Sequence, residues 1–346
     1  MRQIDLPLHS GKAPYWLLNR MKKLAEPIVA LIISDFGELE FLRRISDPIF
    51  FQCFSNVLGF DWNSSGSTTV LTGVLKSVLN ENEFGVKIAG GKGANAIKTP
   101  EEVEKLATEI KADAEKIIKF SRFAAKADNA ALIDGYDLYH HAVFFSDKYM
   151  VVVQQGMNVE TGMARRYHWN VYRNLPSLED VHSGITAEKI EDFVVNLQSK
   201  VSRGARKVCV DVIRDGSFKK DYERLISIVK SKEGLEVPKK IDWRVVEKAY
   251  NLQPENFENL LMIKGIGKET IRALALISEL IYSTEYDKKD PAKFCFAVGG
   301  KDGVPFPVRR EIYDEVIKFM RETLKQAELG DFERKAALER LSRWKS

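Results

Sequence analysis

Between Asp134 and Trp169 the chain concentrates groups that can do chemistry. Asp134-Gly-Tyr-Asp137-Leu-Tyr-His140-His141 leads into the apolar run Ala142 to Phe145. A turn at Ser146-Asp147-Lys148 follows, then a second run that ends in Gln154-Gln155-Gly156-Met157-Asn158. Arg165, Arg166 and His168 come next, so three of the chain's five histidines lie in this stretch. Carboxylates and imidazoles suit Mg²⁺ or Mn²⁺, and a metal-held water attacks phosphate esters. Asp134, Asp137 and His140 are the candidate metal ligands. His141, Gln155, Arg165, Arg166 and His168 complete the candidate catalytic group, with the arginines able to grip a scissile phosphate. The alternative stays open that His140 packs or caps, that Asp134 sits in a turn, and that the arginines pair with these acids.

A second group lies in Asn259-Leu-Leu-Met-Ile-Lys264-Gly265-Ile266-Gly267-Lys268-Glu269-Thr270-Ile271-Arg272-Ala-Leu274. Apolar residues Leu260, Leu261 and Ile263 end one helix, and Ile271, Leu274 and Ile277 continue a second at helical spacing. The glycines between them allow a tight reversal. The amides opening the second helix have no partner within it and are free for an anion. Lys264 and Lys268 flank them, and Thr270 adds a hydroxyl. The pattern resembles a helix-hairpin-helix motif, which holds a nucleic-acid phosphate on its hairpin amides and positions a protein on DNA without reading sequence. A purely structural αα-turn is the plain alternative.

Two further stretches invite an anion. Ser64, Ser65 and Gly66, within a run of hydroxyl residues, precede a helix from Val70 to Leu79; a helix N-cap with spare hydroxyls is the plain alternative. The strand predicted over Val86 to Ala89 runs into Gly90-Gly91-Lys92-Gly93, a flexible basic loop. The spacing of an ATPase phosphate loop is absent.

The surrounding elements must position these groups. At 346 residues the length favours two domains, and 45% hydrophobic with 29% charged residues is ordinary for a soluble protein. The net charge of +4 does not by itself call for nucleic acid. Cys53, Cys209 and Cys295 are scattered, which argues against a disulfide framework or a zinc site. There is no signal-peptide layout, and the longest apolar run, Pro27 to Ile33, is too short to span a bilayer. A cytoplasmic protein with no membrane partner is expected.

Residues 1–13 read as an extended arm. Helices are expected over Pro14 to Ala25, Pro27 to Ile33 and Glu38 to Ile45, and after Asp47-Pro48, with Asp47 as N-cap. Thr99-Pro100-Glu101-Glu102 has the form of a capping box opening one long helix to about Lys126. A helix is expected to carry Arg165, Arg166, Tyr167, His168 and Trp169. Residues 185–232 read as helices rich in basic side chains, Lys200, Arg203 and Arg206 among them; a basic surface continuous with the hairpin would fit a DNA track, and a solvated helix face is the plain alternative. Glu233 to Lys240 is the expected linker. Beyond it come helices at Trp243–Tyr250 and Pro254–Met262, a short helix opened by Asp290-Pro291, a loop at Gly299 to Pro307, and two closing helices.

Taken together, Leu6 to Pro14, Gly59 to Gly66, Gly90-Gly-Lys-Gly93, Asp137 to His141, Val153 to Asn158, Ala164 to Trp169 and Gly299-Gly-Lys-Asp-Gly303 resemble the family called domain of unknown function 763. That resemblance implies no mechanism. The chain departs from it at Arg309, where an acid is expected. The second β-run also resembles a metal-dependent nuclease core, except that its Glu-x-Lys ending is replaced by Gln154-Gln155-Gly156. The C-terminal part is similar to hairpin-containing DNA glycosylases. That resemblance places Glu269 where a Schiff-base lysine stands and leaves Asp287 and Asp290 as the acids of a monofunctional enzyme.

The expected protein is α+β and mostly helical. Residues 1–235 form an N-terminal domain with a small β-sheet, and residues 236–346 an all-helical domain carrying the hairpin. The expected function is a metal-dependent, structure-selective DNA nuclease using Mg²⁺ or Mn²⁺, with DNA preferred to RNA. A DNA glycosylase and a non-enzymatic DNA-binding scaffold are the alternatives.

Overall fold

The computed structural model describes residues 13–60, 65–229, 237–293, 310–327 and 329–343. The expected arm at 1–12, Ser64, most of the expected linker and the 299–307 loop lie outside these residues.

Helix α1 (Tyr15–Ser46) joins the three helical stretches read from the sequence, with one non-helical residue, Gly37. Asp47 then caps α2 (Pro48–Val57) as expected. Its carboxylate accepts from Ile49 N at 2.7 Å and Phe50 N at 3.2 Å. Helix α3 (Ser65–Glu81) leads to β1 (Lys87–Lys92), the short α4 (Ala94–Ile97), α5 (Thr99–Glu109) and α6 (Ala114–Lys126). The single long helix expected from Thr99 to Lys126 is therefore two. Lys111 takes a positive φ of 57° at the break. The capping box does not form either: the Thr99 hydroxyl donates to Ala96 O at 2.7 Å, and Glu102 turns to Lys76 and to Gly90 N.

A π-helical turn (Ala127–Ala131) and β2 (Leu132–Ile133) connect α6 to three long strands: β3 (Asp137–Phe145), β4 (Met150–Asn158) and β5 (Met163–Trp169). Strands β6 (His182–Thr186) and β7 (Val195–Asn196) follow, then α7 (Arg203–Arg214) and α8 (Phe218–Val229). Residues 185–232 are thus helical only from about Arg203. Helices α9 (Trp243–Leu252), α10 (Phe257–Met262) and α11 (Lys268–Leu280) come next, and α12 (Arg310–Gln326) and α13 (Asp331–Arg343) close the chain. Asp290-Pro291 opens no helix within the described residues up to Lys293.

Five strands form one antiparallel sheet in the order β1-β3-β4-β5-β6, and β2 pairs with β7. The protein is α+β and mostly helical. Both faces of the sheet are covered. Ala142, Phe144, Val151 and Val153 pack with α1, α2, α3, α12 and α13. Val143, Phe145, Met150, Val152 and Trp169 pack with α5 to α11. Successive side chains of a strand point to opposite faces, so each strand feeds both layers in turn.

The stretch from Arg165 to Trp169, expected as a helix, is β5. A strand buried on both sides shows no polar–apolar alternation, and its period is hidden. No helix among the described residues is long and apolar enough to cross a membrane.

Replacing Asp47 with alanine removes both capping bonds and should lower unfolding stability by about 1 kcal/mol. A chemical-denaturation midpoint checks this.

Candidate functional site

The strand geometry decides how the Asp134–His168 residues relate. His140 and His141 are neighbours on β3 and therefore leave opposite faces of the sheet. His140 Nε2 lies 3.1 Å from the Thr72 hydroxyl of α3. His141 Nε2 lies 2.7 Å from the Ser121 hydroxyl of α6, and its Nδ1 lies 2.7 Å from Gln154 Oε1. Arg165 and Arg166 separate in the same way. Arg166 sits under α2 and α3, with its guanidinium 4.7 Å from the Phe51 ring and within reach of Gln52 and Thr68. His168 lies on that side too: Nδ1 is 3.2 Å from Ile45 O and the ring packs edge-on against Phe51.

Arg165 faces the other way and is fully buried between two carboxylates. It donates to Asp134 Oδ2 at 2.8 Å and to Asp290 at 3.0 and 2.7 Å. Tyr167 donates to Asp134 Oδ2 at 2.7 Å and Tyr136 N to Asp134 Oδ1 at 3.1 Å. Asp290 also accepts from Glu191 N and Ala292 N. Burial pushes the Asp134 carboxyl up, while Arg165 and the Tyr167 hydroxyl pull it down. Both acids are committed to joining β5, the turn before β3 and the segment after α11. Asp290, one of the two acids singled out by the glycosylase resemblance, has both oxygens occupied.

Asp137, by contrast, is exposed, and its carboxylate pairs with Lys268 of the hairpin. The three expected metal ligands thus face three different partners: Arg165 for Asp134, Lys268 for Asp137 and Thr72 for His140. Among the described residues no group of three or more His, Cys, Asp or Glu side chains is placed to hold a metal ion. Gln155 serves α3 rather than a solvent site. It donates to Ser65 O at 2.9 Å and bonds the hydroxyls of Thr68 and Tyr139. The first turn of α3, which holds Ser65 and Gly66, is clipped to the sheet in this way.

The Gly90-Gly91-Lys92 stretch is paired strand, not loop. Gly90 stands opposite Ala142, Gly91 opposite His141 and Lys92 opposite His140. A side chain on Gly90 would meet His141 O at 2.2 Å, and the backbone φ there is +98°. Its amide bonds Glu102 at 2.7 Å and its carbonyl bonds Lys76 at 2.8 Å. The glycine is explained by this close approach, and its amide is already taken. Lys92 and Gly93 are exposed, with the Lys92 ammonium 5.7 Å from the Tyr139 ring.

The hairpin keeps the form read from the sequence. Helix α10 ends in a turn closed by Ile266 N to Ile263 O at 3.1 Å. Gly265 takes φ +100° and lies against Val245, where a Cβ would come within 2.6 Å of the valine methyl. Gly267 is the N-cap of α11, and no side chain caps that end. Leu260, Leu261, Ile263, Ile266, Ile271, Leu274 and Ile277 anchor the two helices in the core shared with α6 to α8. Lys126, at the end of α6, donates to Ile266 O and braces the turn from behind. Lys264 is exposed and Lys268 half-exposed, whereas Thr270 is buried and not presented. The expected basic surface is partly neutralised: Lys200 pairs with Asp180, and Arg203 and Arg206 both pair with Glu179.

One buried acid was not singled out in the sequence. Asp128, in the π-turn, accepts from His182 at 2.7 Å, Trp169 at 2.8 Å, Gln154 at 2.6 Å and Gln198 at 3.1 Å. Its signal was an acid on the apolar stripe that runs through Ile117, Ser121 and Ala124 of α6.

The family model for protein of unknown function DUF763 matches residues 2–308, and the chain belongs to that family. No curated protein and no solved structure matches it.

Burial pulls His140 down from 6.5 to about 3, and lowers His141 and His168 as well. These histidines are neutral in the folded chain but take up protons when it unfolds below pH 6.5. The unfolded state therefore binds more protons in that range, and stability is lost as the pH falls. His140 alone should remove about 1.4 kcal/mol per pH unit from its unfolded value down to its folded one. Unfolding measured across that range tests it; a flat profile contradicts it. Arg165→Met leaves two buried acids without their cation and should cost about 3–5 kcal/mol, read from the same denaturation curves.

Proposed function

We propose that the chain binds the phosphate backbone of DNA through the hairpin from Lys264 to Lys268. The observation that carries this is the uncapped N-terminus of α11, a helix of 13 residues, presented at a glycine turn with Lys264 and Lys268 beside it. Amides without an intrahelical partner and the positive end of the helix dipole favour an anion there, and the lysines add charge. Such contacts are indifferent to base sequence and steepen the salt dependence of binding.

Gly267 makes the reading testable apart from folding. Its backbone is extended, and a Cβ would meet only Gly265 O, at 3.9 Å. Gly267→Ala should therefore change stability by about 1 kcal/mol or less, yet place a methyl group where the phosphate approaches. Fluorescence anisotropy with a labelled duplex, across a salt series, should show weakened binding for this variant. Lys264→Met should lower the slope of log affinity against log salt by about one. Unchanged binding in both variants sinks the hairpin reading.

Strand cleavage would add a metal-held water to this binding. Asp134 and His140 are engaged inside the core, with Arg165 and Thr72, so the proposed function is binding alone.

A further inference from the structure

Helix α6 divides its residues by face. Ile117, Phe120, Ser121, Phe123 and Ala124 are buried. With 3.6 residues per turn, Glu115, Lys119, Arg122 and Lys126 fall within a sector about 60° wide on the opposite side. Lys119 and Arg122 are exposed, and neither forms an ion pair among the described residues. Lys126 ends the row, half-buried, and its ammonium donates to Ile266 O of the hairpin turn. The turn from Lys264 to Lys268 therefore abuts the outward face of α6 at its C-terminal end, and the row leads away from it. At 1.5 Å of rise per residue, Arg122 stands about 6 Å and Lys119 about 10 Å along the helix from Lys126.

The acids along this line do not cancel it. Glu115 lies one turn beyond Lys119, at the end far from the hairpin. Asp137 pairs with Lys268, and Glu269 is exposed beside that lysine. Against these three stand Lys119, Arg122, Lys126, Lys264 and Lys268. Helix α5 packs beside α6 and shows Glu101 and Glu104 to solvent, so it bounds the basic row on one flank. Among the described residues no large apolar or aromatic side chain is exposed on α6 or in the hairpin. Single strands are held largely by stacking bases on aromatic side chains, which this surface does not offer. A straight row of cations suits a backbone of regular spacing.

We propose that the outward face of α6 continues the DNA-binding surface of the hairpin, and that its partner is duplex DNA lying along α6. The inference rests on the hairpin reading and extends it to a footprint. The hairpin amides and Lys264 hold one phosphate, and Arg122 and Lys119 meet the following ones on the same strand. Each strand carries one phosphate per 3.4 Å of duplex axis, so about 10 Å of helix runs past about three of them. Lys126 joins the two parts through the carbonyl of Ile266. These contacts fix the position of the duplex and carry no base sequence.

The test is anisotropy of the full chain with a short labelled duplex, and with one of its strands alone, each across a salt series. Lys119→Met/Arg122→Met, altered only at exposed positions, should keep its denaturation midpoint. It should bind the duplex about tenfold more weakly and lower the slope of log affinity against log salt by about two. Lys318→Met/Lys325→Met removes the same charge from exposed positions of α12, on the other face of the sheet, and should leave the slope unchanged. The single strand should bind more weakly than the duplex. The proposal is overturned by an unchanged slope in the α6 variant, by an equal fall in the α12 variant, or by a single strand that binds as tightly as the duplex. Gly267→Ala separates it from the hairpin reading. If that variant binds weakly while the α6 variant binds normally, the hairpin stands and the α6 row is a solvated face. If Gly267→Ala binds normally, the hairpin reading falls and takes the footprint with it.

Discussion

A sheet covered on both faces imposes one condition on this chain: every buried polar side chain along β3, β4 and β5 must find its partner inside the protein. Burying an unpaired polar group is costly, and burying an unpaired charge more so. The strands meet that condition by turns. His140 goes to Thr72 on one side and His141 to Ser121 on the other. Gln155 clips α3, while Gln154 reaches back to Asp128 and Ala124. The polar density that stands out between Asp134 and Trp169 is in large part the wiring of a doubly covered sheet.

Two buried acid centres extend that wiring across the chain. Arg165 bridges Asp134 and a residue 125 positions later, Asp290. Asp128 gathers donors from β4, β5, β6 and the segment after β7. They are solved differently. The first pairs acids with a guanidinium, whose planar fork serves both at once. The second uses neutral donors and a histidine.

The hairpin differs from both because most of its geometry is local. The turn is made by residues within one short segment, and its apolar residues need only a core to enter. Its lysines and amides remain outside that core. Where the hairpin touches the rest of the chain, Lys126 supports its carbonyl and Asp137 meets Lys268. An exposed pair of this kind contributes little to stability, of the order of 0–1 kcal/mol. It leaves the lysine exchangeable toward a phosphate.

Much was legible in the amino-acid sequence: the Asp47 cap, most helices, the β3–β4 hairpin and the glycine turn at Lys264 to Lys268. Each depends on neighbours a few positions away, through capping, steric freedom at glycine or apolar spacing. The family assignment was legible as well, from short motifs spread over most of the chain. What the tertiary structure alone decided was the company each polar residue keeps. Arg165 to Trp169 read as a helix because burial on both faces erases the alternation that marks a strand. Gly90 and Gly91 read as a phosphate loop because the carbonyl of His141, the reason for the first glycine, lies 51 positions away. Asp128 was not singled out, since its four partners come from segments that only folding brings together.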